Sequence, residues 1–172
     1  MRNTFFKLWV HAILQTTGAH AAISEELSPL FHLEIEKRFI EEGCEIAAVG
    51  GDKDHVHMLF AQNPLLSLHD TLSFIKGISQ RWYQLHDFGS SYYKFQWADG
   101  YCAYSVSASN VPKVKAFIEN QAEVHLETSL IDEIHHLNIL HKVDLRDEEI
   151  EKEIRKWAAR YTFDHIGGEW MK

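Results

Sequence analysis

His55-Val56-His57 sets two imidazoles two residues apart in a run, His55 to Ala61, that reads as a β-strand. Side chains alternate across a strand, so both imidazoles face one side while Val56 and Met58 face the other. Two neutral imidazoles side by side on a rigid strand supply two of three ligands for a metal and leave positions open for substrate oxygens. A pair of this kind in a His-rich chain is more often structural, exposed or hydrogen-bonded, so a third contributor from elsewhere decides its meaning. A helix expected from about Lys113 to Glu123 carries Phe117 and Gln121, whose spacing of four puts both on one face.

The elements that must position these residues follow from the pattern. Phe6 to Gln15 is rich in strand formers and predicts a first strand. Ser24 precedes a helix predicted from Glu25 to Glu42, or from nearer Ser28 because of Pro29, with Leu30, Leu33, Phe39 and Ile40 near one stripe and Gly43 as its stop. Cys44 to Val49 and His55 to Ala61 read as two strands joined by a turn at Gly50 to Asp54. Ser67 caps a helix from Leu68 to His86 in which Leu68, Leu72, Ile75, Ile78 and Trp82 recur at helical spacing. Short strands are predicted at Lys94 to Trp97 and Tyr101 to Ser107, with Asp99-Gly100 as a turn signal between them. After the Lys113 to Glu123 helix come a short helix at Glu127 to His136, an apolar stretch at Leu137 to Val143, and an amphipathic helix at Asp147 to Tyr161. The order predicts an α+β sandwich, a mainly antiparallel sheet with helices packed on one face and a helical C-terminal tail.

Composition bounds the function. The chain has 172 residues and 45% hydrophobic content, enough for one domain that buries its own core. Its formal net charge of -8 argues against a general nucleic-acid coat and leaves room for a local basic groove. Lys76, Arg81 and Lys94 are candidates to line such a groove, with Trp82 or Trp97 to stack on bases; each is equally a solvated charge or a core aromatic. Cys44 and Cys102 read as reduced thiols in apolar segments. No stretch reaches the roughly 18 apolar residues of a membrane span and no leader pattern opens the chain, so the expectation is a cytoplasmic protein without membrane contact. His11 in the first strand reads as a packed, hydrogen-bonded histidine, and His135, His136 and His141 fix no metal geometry.

Several of these pieces occur together in one order: Trp9-Val10-His11, Asp54-His55-Val56-His57, Ile75-Lys76-Gly77-Ile78-Ser79, Phe95 to Tyr101, Ser105-Val106-Ser107 and Phe117-Ile118-Glu119-Asn120-Gln121. In combination they resemble the HUH-type single-tyrosine transposases of small bacterial insertion sequences and the related transposases associated with repetitive extragenic palindromes. The resemblance covers about residues 5 to 125. It implies a ferredoxin-like domain over 1–125 with 126–172 as a helical extension packed on it, a homodimer, and single-stranded DNA carrying hairpins as substrate. It also implies Mg²⁺ or Mn²⁺ on His55, His57 and Gln121, and a helix residue at position 117 that attacks the scissile phosphate and forms a 5′-phosphotyrosine bond.

That helix residue is Phe117, where the family pattern has tyrosine. The ring remains and the attacking oxygen does not, so the covalent step has no nucleophile at this position. The loop Thr16-Thr17-Gly18-Ala19-His20 lacks the basic run the family often carries there, and the tail is acidic around Asp144 to Glu153. Each lost cation weakens phosphate binding. Two functional readings follow: a metal-dependent DNA transposase altered at its nucleophile, and a catalytically silent, domesticated DNA-binding relative. An unrelated α+β metal-binding protein is the third.

Overall fold

The first strand, β1 (Trp9–Gln15), occupies an inner position in a four-stranded antiparallel sheet. It is followed by α1 (Ser28–Glu41), β2 (Glu45–Asp52), β3 (His55–Ala61), α2 (Leu68–His86), β4 (Cys102–Val106), α3 (Val111–Glu119), α4 (Gln121–Val124) and α5 (Leu130–Leu140). The spatial order β2-β3-β1-β4 with this sequence of elements is the ferredoxin-like βαββαβ arrangement. The computed structural model describes residues 5–19, 22–87, 95–126 and 128–143. Lys94, the start of its predicted strand, and the predicted helix from Asp147 lie outside them. The chain divides into two units, Met1–Gln121 and Ala122–Lys172. In the second, Ser129 caps α5 by accepting from Asp132 N. Among the described residues no helix is long and apolar enough to cross a membrane.

Alternation along the strands sorts the sheet into two faces. Val10, Ala12 and Leu14 of β1 and Val56, Met58 and Phe60 of β3 form the core with Phe31, Ile35 and Phe39 of α1 and Leu72, Ile75 and Tyr83 of α2. The opposite face holds Leu59 and Ala48, packed against Ile118 of α3. Two helices therefore cover one face, as the pattern predicts, while α3 lies on the other. The α1 stripe also differs from expectation: Phe31, Ile35 and Phe39 are buried at four-residue spacing, whereas Leu30, Leu33 and Ile40 are exposed. The sheet takes the face with the two large rings, which bury more apolar area than the leucines would.

The predicted strand at Lys94 to Trp97 contributes only a single bridge, Thr16 to Trp97. Its backbone groups are satisfied partly from the end of β1, with Thr17 N donating to Gln96 O at 2.9 Å and Ala98 N to Gln15 O at 2.8 Å, and partly from α2. Gln84 Nε2 donates to Phe95 O at 2.7 Å, Gln80 Oε1 accepts from Trp97 N at 3.0 Å, and Lys76 Nζ donates to Ala98 O at 2.6 Å and Gly100 O at 2.9 Å. Positions 76, 80 and 84 are one helical turn apart, so one row of α2 side chains meets the backbone groups that these main-chain bonds leave. Trp97 is buried against Phe31 and donates its indole N–H to Ser79 Oγ at 3.1 Å, which removes it as a base-stacking residue.

The hairpin of β2 and β3 is tighter than expected. β2 runs to Asp52, leaving Lys53 and Asp54 as the turn, and a register irregularity between Ile46 and Ala48 puts Ala48 opposite Leu59. Both turn carbonyls are tied down: Thr16 N donates to Asp54 O and Ile23 N to Lys53 O, each at 2.8 Å. The strand that starts at His55 is thereby anchored at its first residue.

Candidate functional site

The sheet face opposite α1 and α2 carries His55 and His57, with His11 of β1 on the same side. All three are buried, at 1%, 0% and 3% exposure. A hydrogen bond to one nitrogen of each ring offsets part of the cost of burying it. His55 Nδ1 donates to Asp54 Oδ1 at 2.7 Å. His57 Nδ1 and His11 Nε2 share a hydrogen bond of 2.9 Å. The two rings of the His-x-His pair stand nearly perpendicular, their centroids 4.9 Å apart.

Over this face lies α3. Pro112 occupies its first turn, where its missing N–H costs no hydrogen bond, and Ile118 anchors it between Ala48 and Leu59. The helix comes so close to β2 that a Cβ at Gly50 would stand 2.4 Å from Ile118 O, and Gly50 is the residue opposite His57 in the register. Glycine is what this approach requires. Phe117 then points its edge at His57, centroids 5.9 Å apart at 88°, and at His11, 6.3 Å apart at 77°.

The helix ends sooner than the sequence predicts. α3 stops at Glu119, Asn120 leaves helical geometry, and Gln121 opens α4, so Phe117 and Gln121 are not on one continuous helix face. The turn at Asn120 nonetheless directs Gln121 inward, to 2% exposure. Its Oε1 lies 3.5 Å from His55 Nε2, and its Nε2 is buried with no hydrogen-bond partner among the described residues. With Asp54 accepting from Nδ1–H, that tautomer of His55 presents an Nε2 lone pair to an amide oxygen. Two acceptors facing one another beyond the usual hydrogen-bond length of about 2.9 Å make an arrangement that a cation satisfies.

Of the residues singled out from the sequence, His55, His57, Phe117 and Gln121 are brought together, all from one chain. The basic candidates are not. The Lys76 amine is spent on two backbone carbonyls, and burial pulls its pKa down against the opposing pull of Asp99. Arg81, five residues on, is exposed and about 140° around α2 from it, and Lys94 lies outside the described residues. Sequence reasoning also passed over His32 of α1, which burial and the neighbouring His55 hold down to a pKa of about 4. It passed over Gly50 and the pairing of His11 with His57 as well, since both depend on which residues face each other across strands.

The profile of the IS200-like transposases matches residues 4–121, which contain every residue of this cluster. The chain belongs to that family. Its function accordingly relates to DNA transposition, and the family's chemistry is cleavage and transfer of DNA strands. Two solved structures share the fold of this family member. One, from Deinococcus radiodurans R1 and assigned as a transposase, is 24% identical with a TM-score of 0.56, over 70% of this chain and 95% of that one. The other, a REP-associated tyrosine transposase bound to a REP hairpin, is 11% identical with a TM-score of 0.54, over 98% and 91%. No curated protein matches the chain.

Proposed function

We propose that this transposase-family protein binds single-stranded, hairpin-bearing DNA together with Mg²⁺ or Mn²⁺ at His55, His57 and Gln121, and that it forms no phosphotyrosine bond at position 117. The observation that carries the reading is Phe117 itself. Its ring stands perpendicular to His57 with centroids 5.9 Å apart, and it lacks the hydroxyl that a tyrosine at this position would carry. The hairpin bound by the REP-associated structural neighbour supports the choice of DNA.

The donor set fits a divalent cation: two imidazole nitrogens and an amide oxygen, one of the imidazoles oriented by a carboxylate, as ligating histidines commonly are. A cation held there would act as a Lewis acid toward a phosphodiester oxygen. The chain's own residues do the positioning. Asp54 fixes the His55 ring, Gln121 turns its carbonyl oxygen toward it, and α3 closes over both histidines on its contact with Gly50. Because one chain supplies all four residues, the homodimer implied by the family resemblance is not needed to complete the cluster.

The deciding experiment compares the unmodified protein with Phe117→Tyr on labelled oligonucleotides carrying a hairpin and a single-stranded flank, with Mn²⁺. Both proteins are expected to retard the hairpin in a gel shift, and only Phe117→Tyr to yield a covalent protein–DNA adduct on a denaturing gel. An adduct with the unmodified protein would rule out the silent reading, and absence of any retardation across a panel of hairpins would rule out the DNA reading.

A further inference from the structure

We propose that His11 is a positioning residue for His57, holding its imidazole in the tautomer and orientation that a metal ligand requires. The inference rests on the reading of His55, His57 and Gln121 as the cation's holders, and it concerns a residue outside that set.

A histidine that ligates through Nε2 must carry its proton on Nδ1, the less favoured tautomer of a free imidazole, so the protein has to supply an acceptor at Nδ1. For His55 that acceptor is Asp54 Oδ1, at 2.7 Å. The equivalent nitrogen of His57 meets His11 Nε2 at 2.9 Å. Each Nδ1 of the pair is therefore held by a different neighbour, one from the adjacent turn and one from the adjacent strand. In the proposed arrangement His57 Nδ1–H donates and His11 Nε2 accepts, which puts the His57 lone pair on Nε2, the same nitrogen that His55 turns toward Gln121.

Three features hold His11 in that role. Its strand is an inner one, with β3 on one side and β4 on the other, so its backbone cannot shift without breaking two ladders. In the register His11 lies opposite Leu59 and Ile13 opposite His57, which makes the His11–His57 contact a diagonal one across the face. Phe117 and Tyr104 of β4 flank the His11 ring, each with its ring centroid 6.3 Å from that of His11. A merely packed histidine at this place would need no particular nitrogen aimed at His57. This one has its Nε2 within hydrogen-bond distance of the atom that sets the tautomer.

The test uses the full-length protein and Mn²⁺ alone, without DNA. Mn²⁺ binding is followed by electron paramagnetic resonance for the unmodified protein, His11→Leu and His11→Gln, and the His57 tautomer is read from long-range ¹H–¹⁵N correlations in metal-free protein. His11→Leu keeps the bulk and loses the acceptor, and should weaken Mn²⁺ binding by about 10- to 100-fold. His11→Gln can accept through Oε1 and should recover most of that loss. In the unmodified metal-free protein the His57 proton should be on Nδ1, and in His11→Leu it should move toward Nε2. Unmodified protein that binds Mn²⁺ alongside His11→Leu that binds equally well would overturn the positioning role alone. Unmodified protein that binds no Mn²⁺ would overturn the reading of the site and the positioning role with it. Should His11→Leu fail to fold, the unmodified protein decides: a His57 proton on Nε2 overturns the inference.

Discussion

At the scale of single residues, the cluster is arranged by what each polar atom can accept or donate. A buried amide is costly unless its atoms find partners, and the Nε2 of Gln121 has none among the described residues while its Oε1 faces another acceptor. Such an arrangement supports the proposed role of Gln121 as a cation ligand. Gln121→Ala should therefore weaken Mn²⁺ binding by more than about tenfold while leaving the unfolding midpoint unchanged or raised, because it removes an unsatisfied group along with a ligand. Titration calorimetry and thermal melts on the same samples check both parts, and a variant that loses stability without losing Mn²⁺ affinity would contradict the assignment. Glu133 shows another consequence of burial in the second unit, where desolvation raises its carboxyl to a pKa of about 8.

Elements, one scale up, decide how close these atoms come. The approach of α3 to β2 is set by one missing side chain, since an added Cβ at Gly50 would fall 2.4 Å from a backbone oxygen that has no rotamer to move away. Gly50→Ala is expected to push α3 outward, costing about 1–3 kcal/mol of stability as overpacking does and reducing Mn²⁺ affinity together with it. Chemical denaturation measures the first and metal binding the second. Helix α1 carries a pH dependence of its own. His32 is neutral in the fold, with its pKa near 4, against an ordinary value of about 6.5 when unfolded. Between those two values the unfolded chain binds a proton the folded chain refuses, so its contribution is fully present above about pH 6.5 and is lost as pH falls toward 4, by at most about 3 kcal/mol. In metal-free urea titrations, His32→Phe should flatten the difference in stability between pH 7 and pH 4.5 relative to the unmodified protein. An unchanged slope would show that His32 is already protonated in the fold.

For the whole molecule, the aromatic core and the histidine cluster lie on opposite faces of one sheet. The face under α1 and α2 is an aromatic core in which Phe31 meets Tyr83, Phe95, Trp82 and Trp97 at centroid distances of 5.0 to 5.9 Å. Phe31→Ala should cost about 3–5 kcal/mol, the usual range for a fully buried ring, and residual folded protein should keep its Mn²⁺ affinity. A loss of affinity in the folded fraction would mean the two faces are coupled. The site face is less apolar, with three buried histidines and a glutamine among its buried residues.

Much of this was legible in the residues themselves. His55 to Ala61 reads as a strand and is one, residue for residue, and Leu68 to His86, capped by Ser67, is equally faithful. These two patterns, with the order of the motifs around them, determined the fold class and the family, and Phe117 announced the missing oxygen by its identity alone. The rest depended on distances between residues far apart in sequence. Periodicity could not choose between the Leu30 and Phe31 stripes of α1, since both fit a helix and only the sheet selects one. Nor could it see that Lys76 serves the backbone of Ala98 and Gly100, or that α3 lies on the face away from α1 and α2. The meeting of His11 with His57, and of Gln121 with His55, was decided by strand register and by the turn at Asn120. Those are tertiary choices, because a contact between polar side chains 46 or 66 positions apart has no local signature in the chain.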